Sequence, residues 1–183
     1  MNPQDELHKL TSLFPGEQNL IAHAEHIPSA LTPEPYKAML VHEHHMTVTM
    51  ESYYGAPVAV ELLAHLRQDP IYCRKIVLRR SDTRQVVQFG LVRFNLAYVT
   101  SAVREEILAG QTPLGRVLIN QNVLRHIDLG AILRIAPGPE LQALFDCTPE
   151  CEIYGRLATI FCNRQPAVDL LEIPAPLDVG PAG

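Results

Sequence analysis

Apolar and polar positions alternate along much of the chain, which is the pattern of β-strands with one buried face. The stretches that show this pattern, or a short apolar core, are 58–62, 71–78, 86–94, 123–135, 154–162 and 166–173. Polar, turn-forming residues separate the second stretch from the third and the fifth from the sixth. Each of these two pairs is therefore predicted to form a hairpin.

Short helices are predicted between these strands. Ser101 is placed as an N-cap and Gly110 as a stop, which gives a helix over 102–109. A second helix is predicted over 139–145, after a Pro-Gly-Pro turn. Strands and helices do not alternate as they do in parallel sheets, so the pattern predicts an α+β fold with an antiparallel sheet of about six strands.

The two ends of the chain differ from this middle part. The first 35 residues mix Pro, His and Glu with short apolar stretches, and we interpret 1–35 as a loose N-terminal arm with short helices near 4–13 and 17–25. The domain itself is expected to span 36–176. The last segment, 177–183, contains Pro and Gly and is expected to be a flexible tail.

Composition narrows the class of protein. The chain has 183 residues, of which 47% are hydrophobic and 19% charged, and this is typical of one globular domain. Its net charge of −5 argues against a nucleic-acid partner, because such proteins usually neutralise phosphates with a basic surface. No apolar run approaches the length of a membrane span, and the N-terminus lacks a signal-like apolar stretch, so a cytoplasmic location is expected.

Three histidines, His42, His44 and His45, form the first candidate site. On a strand the first two would share a face, and on a helix the first and third nearly would, so either pair could bind a metal ion. The following Glu51 and Gly55 do not have the spacing of a cupin metal site. We favour polar histidines at the start of an exposed or lid-like element, and a metal-dependent enzyme remains an alternative.

Arg74 is the second candidate, because it lies within the apolar run of a predicted strand. Arg74 and Lys75 must point to opposite faces, so one of them is expected to face inward. An inward guanidinium is suited to a carboxylate or phosphate ligand, since its donors are bidentate and it stays charged. The alternative is that Arg74 pairs with an internal glutamate.

Acidic residues within the last predicted strand form the third group. Asp169 and Glu172 are three residues apart, so in a regular strand they face opposite sides and at most one is inward. An inward carboxyl group in an apolar pocket can serve as a general acid. The alternative is that both are exposed on a sheet edge. Separately, the turn around Leu114, in Thr-Pro-Leu-Gly-Arg, could bring backbone N–H groups close to a ligand.

The order of these short motifs resembles a known family. Its members are chorismate pyruvate-lyase, the 4-hydroxybenzoate synthase, and bacterial relatives, to which the chain is most similar. The resemblance covers about 36–176 and rests on Met46-Thr47, Arg74 to Leu78, Phe89-Gly90, Thr112 to Arg116 and Pro166 to Glu172. It implies an antiparallel sheet of about six strands with helices on one side and helical flaps over the ligand.

The resemblance also implies an activity and the roles of five residues. The family eliminates pyruvate from chorismate to leave 4-hydroxybenzoate, with a small-molecule substrate and no metal or organic cofactor. By position, Arg74 matches the clamp on a ligand carboxylate and Glu172 the general acid/base near the other end of the ligand. Leu114 matches a backbone contact to the ligand, Met46 lines the pocket under the flap, and Gly90 lets the ring lie close to the sheet.

The chain departs from the family at two of these places. Leu91 stands where the well-known enzymes have an arginine after the central glycine, and we expect Arg93 to share the face of Gly90 and compensate. The spacing after the proline leaves Asp169 as a rival of Glu172. The predicted function is a chorismate lyase-like enzyme. The alternative is a non-catalytic module that binds a small aromatic carboxylate, because the same fold serves as the effector-binding domain of bacterial transcription regulators.

Overall fold

A computed structural model describes residues 2–179 as one seven-stranded sheet with helices packed on it. All neighbouring strands are antiparallel, in the order β1-β5-β6-β7-β4-β3-β2. The strands are β1 Ile21–Ile27, β2 Val58–Gln68, β3 Ile71–Arg80, β4 Val86–Asn95, β5 Arg125–Pro137, β6 Ile153–Cys162 and β7 Gln165–Pro174. The helices are α1 Pro3–Thr11, α2 Glu17–Leu20, α3 Tyr36–Leu40, α4 Met46–Tyr54, α5 Ser101–Ala109, α6 Leu114–Asn120 and α7 Pro139–Phe145.

Successive side chains of the central strands point to opposite faces of the sheet, and both faces are buried. We call one the closed face: it includes Phe89 and Leu171 and packs against apolar residues of α1, such as Leu10, and of α7, such as Leu141. The other is the cavity face, which includes Arg74, Gly90 and Glu172. Side chains of α3 and α4 cover one part of the cavity face, and those of α5 and α6 cover another.

The predicted α+β class with an antiparallel sheet is confirmed, with seven strands instead of about six. Both predicted hairpins are present, β3–β4 and β6–β7. Helices cover both faces, whereas the resemblance implied helices on one side. The reason is that the strands near the centre are apolar at consecutive positions, so each face must be shielded from water.

The N-terminal region differs from the predicted loose arm. β1 is an edge strand that pairs with β5, and Leu10 of α1 is 1% exposed in the core of the closed face. The helix expected near 17–25 is limited to the four residues of α2, after which the chain enters β1. Residues 3–20 therefore pack against the sheet, and residues 21–27 extend it by one strand.

The C-terminal segment that follows β7 contacts α3. The backbone N–H of Leu177 donates to the Tyr36 hydroxyl at 2.9 Å, which ties this segment to α3. Residues 180–183 of the predicted tail lie outside the described residues. In residues 2–179, no helix is long and apolar enough to cross a membrane.

Candidate functional site

A narrow cavity of about 40 Å³ lies between the cavity face and the helices α4 and α6. A volume of this size holds only a few water molecules. Its walls are largely apolar. The sheet contributes the polar side chains Arg74, Gln88, Arg156 and Glu172, and the start of α4 contributes His45 and Thr47. This combination of an apolar pocket with a few convergent polar groups is typical of small-molecule sites.

Strand register places the polar residues in neighbouring rows. Gly90 of β4 lies between Ile76 of β3 and Glu172 of β7, and Glu172 is opposite Arg156 of β6. A Cβ at position 90 would stand 3.2 Å from Cδ1 of Ile76, closer than side chains normally pack. The glycine therefore leaves room for the Ile76 side chain on the cavity face.

Arg74 is 1% exposed, and its guanidinium reaches the cavity. Its Nε and Nη1 groups have no hydrogen-bond partner in the described part of the chain. Burial lowers the pKa of Arg74 to about 10, because water no longer stabilises the charge. The alternative that Arg74 pairs with an internal glutamate does not hold, and the cavity contains a cation with two nitrogen groups that donate to nothing in the described part of the chain.

Glu172 is also on the cavity face, but it is paired. Its Oε2 accepts a hydrogen bond of 2.7 Å from Nε of Arg156, which is completely buried. The other nitrogens of Arg156 donate to the backbone carbonyls of His42 and His44, at 3.0 and 2.9 Å. Arg156 thus joins the sheet to the segment that leads into α4.

Arg156 was not among the residues predicted from the sequence, although the signal was present. Like Arg74, it is a charged residue within an apolar strand run, Ile-Tyr-Gly-Arg-Leu-Ala-Thr-Ile. The cost of burying a charge, which pointed to Arg74, applies equally to Arg156. The expected general acid was an unpaired carboxyl group. Glu172 does not meet this condition, because it forms an ion pair with Arg156.

The three histidines hold this segment together instead of converging on a metal site. Nε2 of His42 donates to the Met39 carbonyl at 2.7 Å, and its Nδ1 accepts from the backbone N–H of His44 at 3.1 Å. Nε2 of His45 accepts a 2.8 Å hydrogen bond from Nε of Arg125. Among residues 2–179, no group of three or more His, Cys, Asp or Glu side chains is placed to hold a metal ion.

Burial and nearby cations keep two of the histidines neutral. Burial lowers the pKa of His45 to about 4, and the positive charges of Arg125 and Arg156 add to the effect. The pKa of His42 falls to about 4 for the same main reason, with Arg156 as the nearby charge. A neutral His45 is required by its contact with Arg125, because only an unprotonated nitrogen can accept.

The first residues of α4 and α6 close the cavity. Met46 begins α4 and is 2% exposed, and Leu114 begins α6 and is 8% exposed; both line the cavity. Between these helices, a Cβ at Gly115 would stand 2.8 Å from Cβ of His45. The glycine in the Pro-Leu-Gly turn therefore allows α6 to pack directly against His45.

Arg93 and Asp169 lie on the closed face. Arg93 was expected to share the face of Gly90, and Asp169 was expected to be a rival of Glu172, and both expectations fail. Arg93 is three residues after Gly90, and an odd offset in a strand changes the face. It pairs with Asp169 at 3.5 Å, and Asp169 also accepts from Lys9 of α1 at 2.9 Å. Arg93 does not reach the cavity and cannot compensate for Leu91, and Asp169 is not in the position of Glu172.

Gln88 is a further cavity residue that was not predicted from the sequence. It is 3% exposed, and its Oε1 has no hydrogen-bond partner in the described part of the chain. The signal was a polar residue in the apolar run Val-Val-Gln-Phe-Gly of the second predicted hairpin strand. Buried amide oxygens are normally satisfied, so an unpartnered one at a cavity indicates a place for a ligand or water.

Comparisons with solved structures identify proteins of similar fold. The effector domain of PhnF from Mycobacterium smegmatis matches with a TM-score of 0.50 and 13% identity, over 72% of this chain and 88% of that one. The longer structure of PhnF gives a TM-score of 0.49 and 12% identity, with 72% of this chain and 63% of that one covered.

The ligand-binding domain of a putative GntR-family transcriptional regulator from Bordetella bronchiseptica gives a TM-score of 0.49 at 12% identity, over 63% of this chain and 85% of that one. No protein-family model matches the sequence, and no curated protein matches it.

These comparisons correct the expected activity. The solved structure that reaches a TM-score of 0.50 is named as an effector domain and not as an enzyme. The prediction of a lyase was wrong, while the expected chorismate lyase-like fold is shared by these domains. Met46, Arg74, Gly90, Leu114 and Glu172 all line the cavity, and Glu172 is paired with Arg156.

Proposed function

We propose that this chain is a non-catalytic module that binds a small carboxylate, in particular an aromatic one, with Arg74 as the clamp. The observation that carries the proposal is the buried Arg74 guanidinium, whose Nε and Nη1 groups have no partner. A buried cation without a counterion is unfavourable by several kcal/mol, and a bound carboxylate relieves this cost. The similarity in fold to the effector domain of PhnF supports a sensing role.

The charge balance of the cavity favours a ligand with one negative charge. Arg156 and Glu172 neutralise one another through their ion pair, so Arg74 supplies the remaining charge. The planar guanidinium fork matches a carboxylate bidentately. Gly90 has no side chain, and its neighbours in the cavity lining, Ile76 and Leu170, are apolar, so a flat ring suits this part of the cavity.

The cavity is too small for an aromatic acid in this structure, because its volume is only about 40 Å³. Ligand entry therefore includes an outward movement of α4, α6 or both. The two helices are connected by an ion pair between Glu51 and Arg116 and by the packing of His45 on Gly115. These contacts are few and partly exposed, as expected for elements that open.

The test is calorimetric titration of the full chain with benzoate and 4-hydroxybenzoate. We expect binding to the natural chain and a loss of roughly 100-fold or more in affinity for Arg74→Met, since this removes one partner of a desolvated charge pair. Arg67→Met is the matched control, because Arg67 is exposed and pairs with Asp69 on the surface. Equal affinity of the natural chain and a folded Arg74→Met variant, or no binding of either ligand, would contradict the proposal.

A second measurement tests the non-catalytic part. The pure chain is incubated with chorismate, with and without EDTA, and the products are separated by chromatography. We expect no pyruvate and no 4-hydroxybenzoate above the level of spontaneous breakdown. Release of pyruvate that depends on Arg74 would show that the module is an enzyme.

A further inference from the structure

We propose that Gln88 forms a second subsite of the same cavity, which selects ligands that carry a hydroxyl or amino group at the end opposite to the carboxylate. The inference rests on the proposed function, because it assigns the second end of a ligand whose first end is held by Arg74.

The sheet separates Gln88 from Arg74 along the strands. Gln88 pairs with Leu78, whereas Arg74 pairs with Val92, four residues further along. At the usual rise per residue this places their Cα rows about 13 Å apart, with Gly90 between them. The even offsets put all three on the cavity face. A ligand that lies over Gly90 therefore has one end toward Arg74 and the other toward Gln88.

The two ends of the cavity require opposite chemistry. The unused atoms of Arg74 are N–H donors, which bind an acceptor such as a carboxylate oxygen. The unused atom of Gln88 is its amide oxygen Oε1, which binds only a donor. A ligand with a carboxylate at one end and an O–H or N–H group at the other satisfies both.

The surroundings of Gln88 provide no substitute for such a donor. Strand register places two apolar lining residues, Leu78 and Val60, in the same row as Gln88. In the described part of the chain, no group donates to Oε1 of Gln88, which is 3% exposed. An unsubstituted acid would leave this oxygen without a partner, and a second carboxylate would bring two acceptors together. Both classes are therefore expected to bind more weakly than a ligand with a donor.

The experiment compares ligands that differ only at the far end. Calorimetric titration of the full chain uses 4-hydroxybenzoate and 4-aminobenzoate as donors, 4-fluorobenzoate and benzoate as ligands without a donor, and terephthalate as the dicarboxylate. We expect the donor ligands to bind about tenfold more tightly than 4-fluorobenzoate, which corresponds to one satisfied buried hydrogen bond. Terephthalate is expected to bind most weakly.

The variant Gln88→Met assigns the preference to this residue, since methionine has a similar length and no amide oxygen. We expect the preference for donor ligands to disappear, while 4-fluorobenzoate still binds. Gln85→Met is the matched control, because Gln85 is exposed in the turn between β3 and β4 and is expected to keep the full preference.

The outcomes separate this inference from the proposed function. If none of the five acids binds, the proposed function fails, and the subsite fails with it. If all bind with equal affinity, a carboxylate site exists but Gln88 is satisfied by water, and only the subsite proposal is overturned. Tighter binding of terephthalate would show that the Gln88 amide donates to the ligand, which also overturns it. The ranking of ligands by the natural chain tests the proposal even if Gln88→Met does not fold.

Discussion

Arg74 and Lys75 are neighbours on β3, yet their side chains lie on opposite faces of the sheet and differ in burial and in ion pairing. Lys75 lies on the closed face and forms an ion pair with Glu140 of α7, near the edge of the core. Arg74 lies on the cavity face, is 1% exposed, and has two nitrogens without a partner. One residue of alternation therefore separates a structural ion pair from a charge that is available to a ligand.

The same contrast is present on β7. Asp169 on the closed face is surrounded by Lys9 and Arg93 at the rim, where water screens the charges. Glu172 on the cavity face is 9% exposed and is held by a completely buried arginine, Arg156. The closed face therefore keeps its charges at the boundary with solvent, while the cavity face buries charged groups and leaves two nitrogens of Arg74 without a partner.

The largest effect on stability is expected on the cavity face, for Arg156→Met. The change leaves Glu172 buried without a cation and removes the donors to the carbonyls of His42 and His44. We expect the free energy of unfolding to fall by about 3–5 kcal/mol. Urea denaturation followed by circular dichroism measures it.

Arg134→Met is the matched control for Arg156→Met. Arg134 is exposed on β5 and pairs with Glu25 at the surface, so its loss is expected to lower stability by less than about 1 kcal/mol. Similar losses for the two variants would show that the buried arginine has no special role in connecting the sheet to α4.

The next effect is a pH dependence that originates at His45. Burial, Arg125, Arg156 and His44 lower the pKa of His45 to about 4 in the folded chain, from about 6.5 when it is unfolded. The unfolded chain therefore takes up a proton first as the pH falls, so the full stability is present above pH 6.5 and is lost toward pH 4. The loss from this residue is up to about 3 kcal/mol.

The variant His45→Gln tests this dependence. Glutamine retains an acceptor for Arg125 but does not titrate, so stability is expected to decline less between pH 6.5 and 4. A part of the decline remains, because the pKa of His42 is also lowered to about 4. Denaturation midpoints at several pH values measure the slope, with the exposed His65→Gln as control. An unchanged slope would show that the surroundings of His45 do not lower its pKa.

The fold was predictable where alternation was strong and local. The hairpins β3–β4 and β6–β7 follow from runs of apolar residues around polar turns. β1 was missed because the alanines and polar residues near 17–25 suit a helix, and only the pairing with β5 makes 21–27 a strand. α4 was missed for the opposite reason: its Val and Thr residues favour strands, but burial of Met46 and Met50 stabilises the helix.

The site was predictable only as single residues. Arg74 and Glu172 were identified because a charge in an apolar strand needs a partner, and the same argument applied to Gln88 and Arg156 would have found the rest. Which of these residues pair depends on the register between β6 and β7, which brings Arg156 opposite Glu172. Register is a property of the assembled sheet, so the sequence could not distinguish the paired acid from the free arginine.

A smaller effect, with the opposite sign, is expected for Arg74→Met in the absence of ligand. This variant removes a buried cation without a counterion and replaces it with an apolar side chain of similar length. We expect the free energy of unfolding to rise by about 2 kcal/mol. Lys75→Met, the neighbour on the closed face, removes a partly exposed ion pair and is expected to change stability by less than about 1 kcal/mol. Destabilisation by Arg74→Met would mean that Arg74 supports the fold and is not reserved for a ligand.

The smallest effect separates the two acids of β7. Asp169→Asn weakens contacts with Lys9 and Arg93 at the rim of the closed face, where exposed ion pairs contribute less than about 1 kcal/mol and are screened by salt. Its affinity for aromatic carboxylates is expected to equal that of the natural chain. Glu172→Gln, by contrast, leaves Arg156 with an uncompensated charge beside the cavity and is expected to change affinity. If Asp169→Asn alters ligand binding as strongly as Glu172→Gln does, the two faces are coupled and the division of roles between them is wrong.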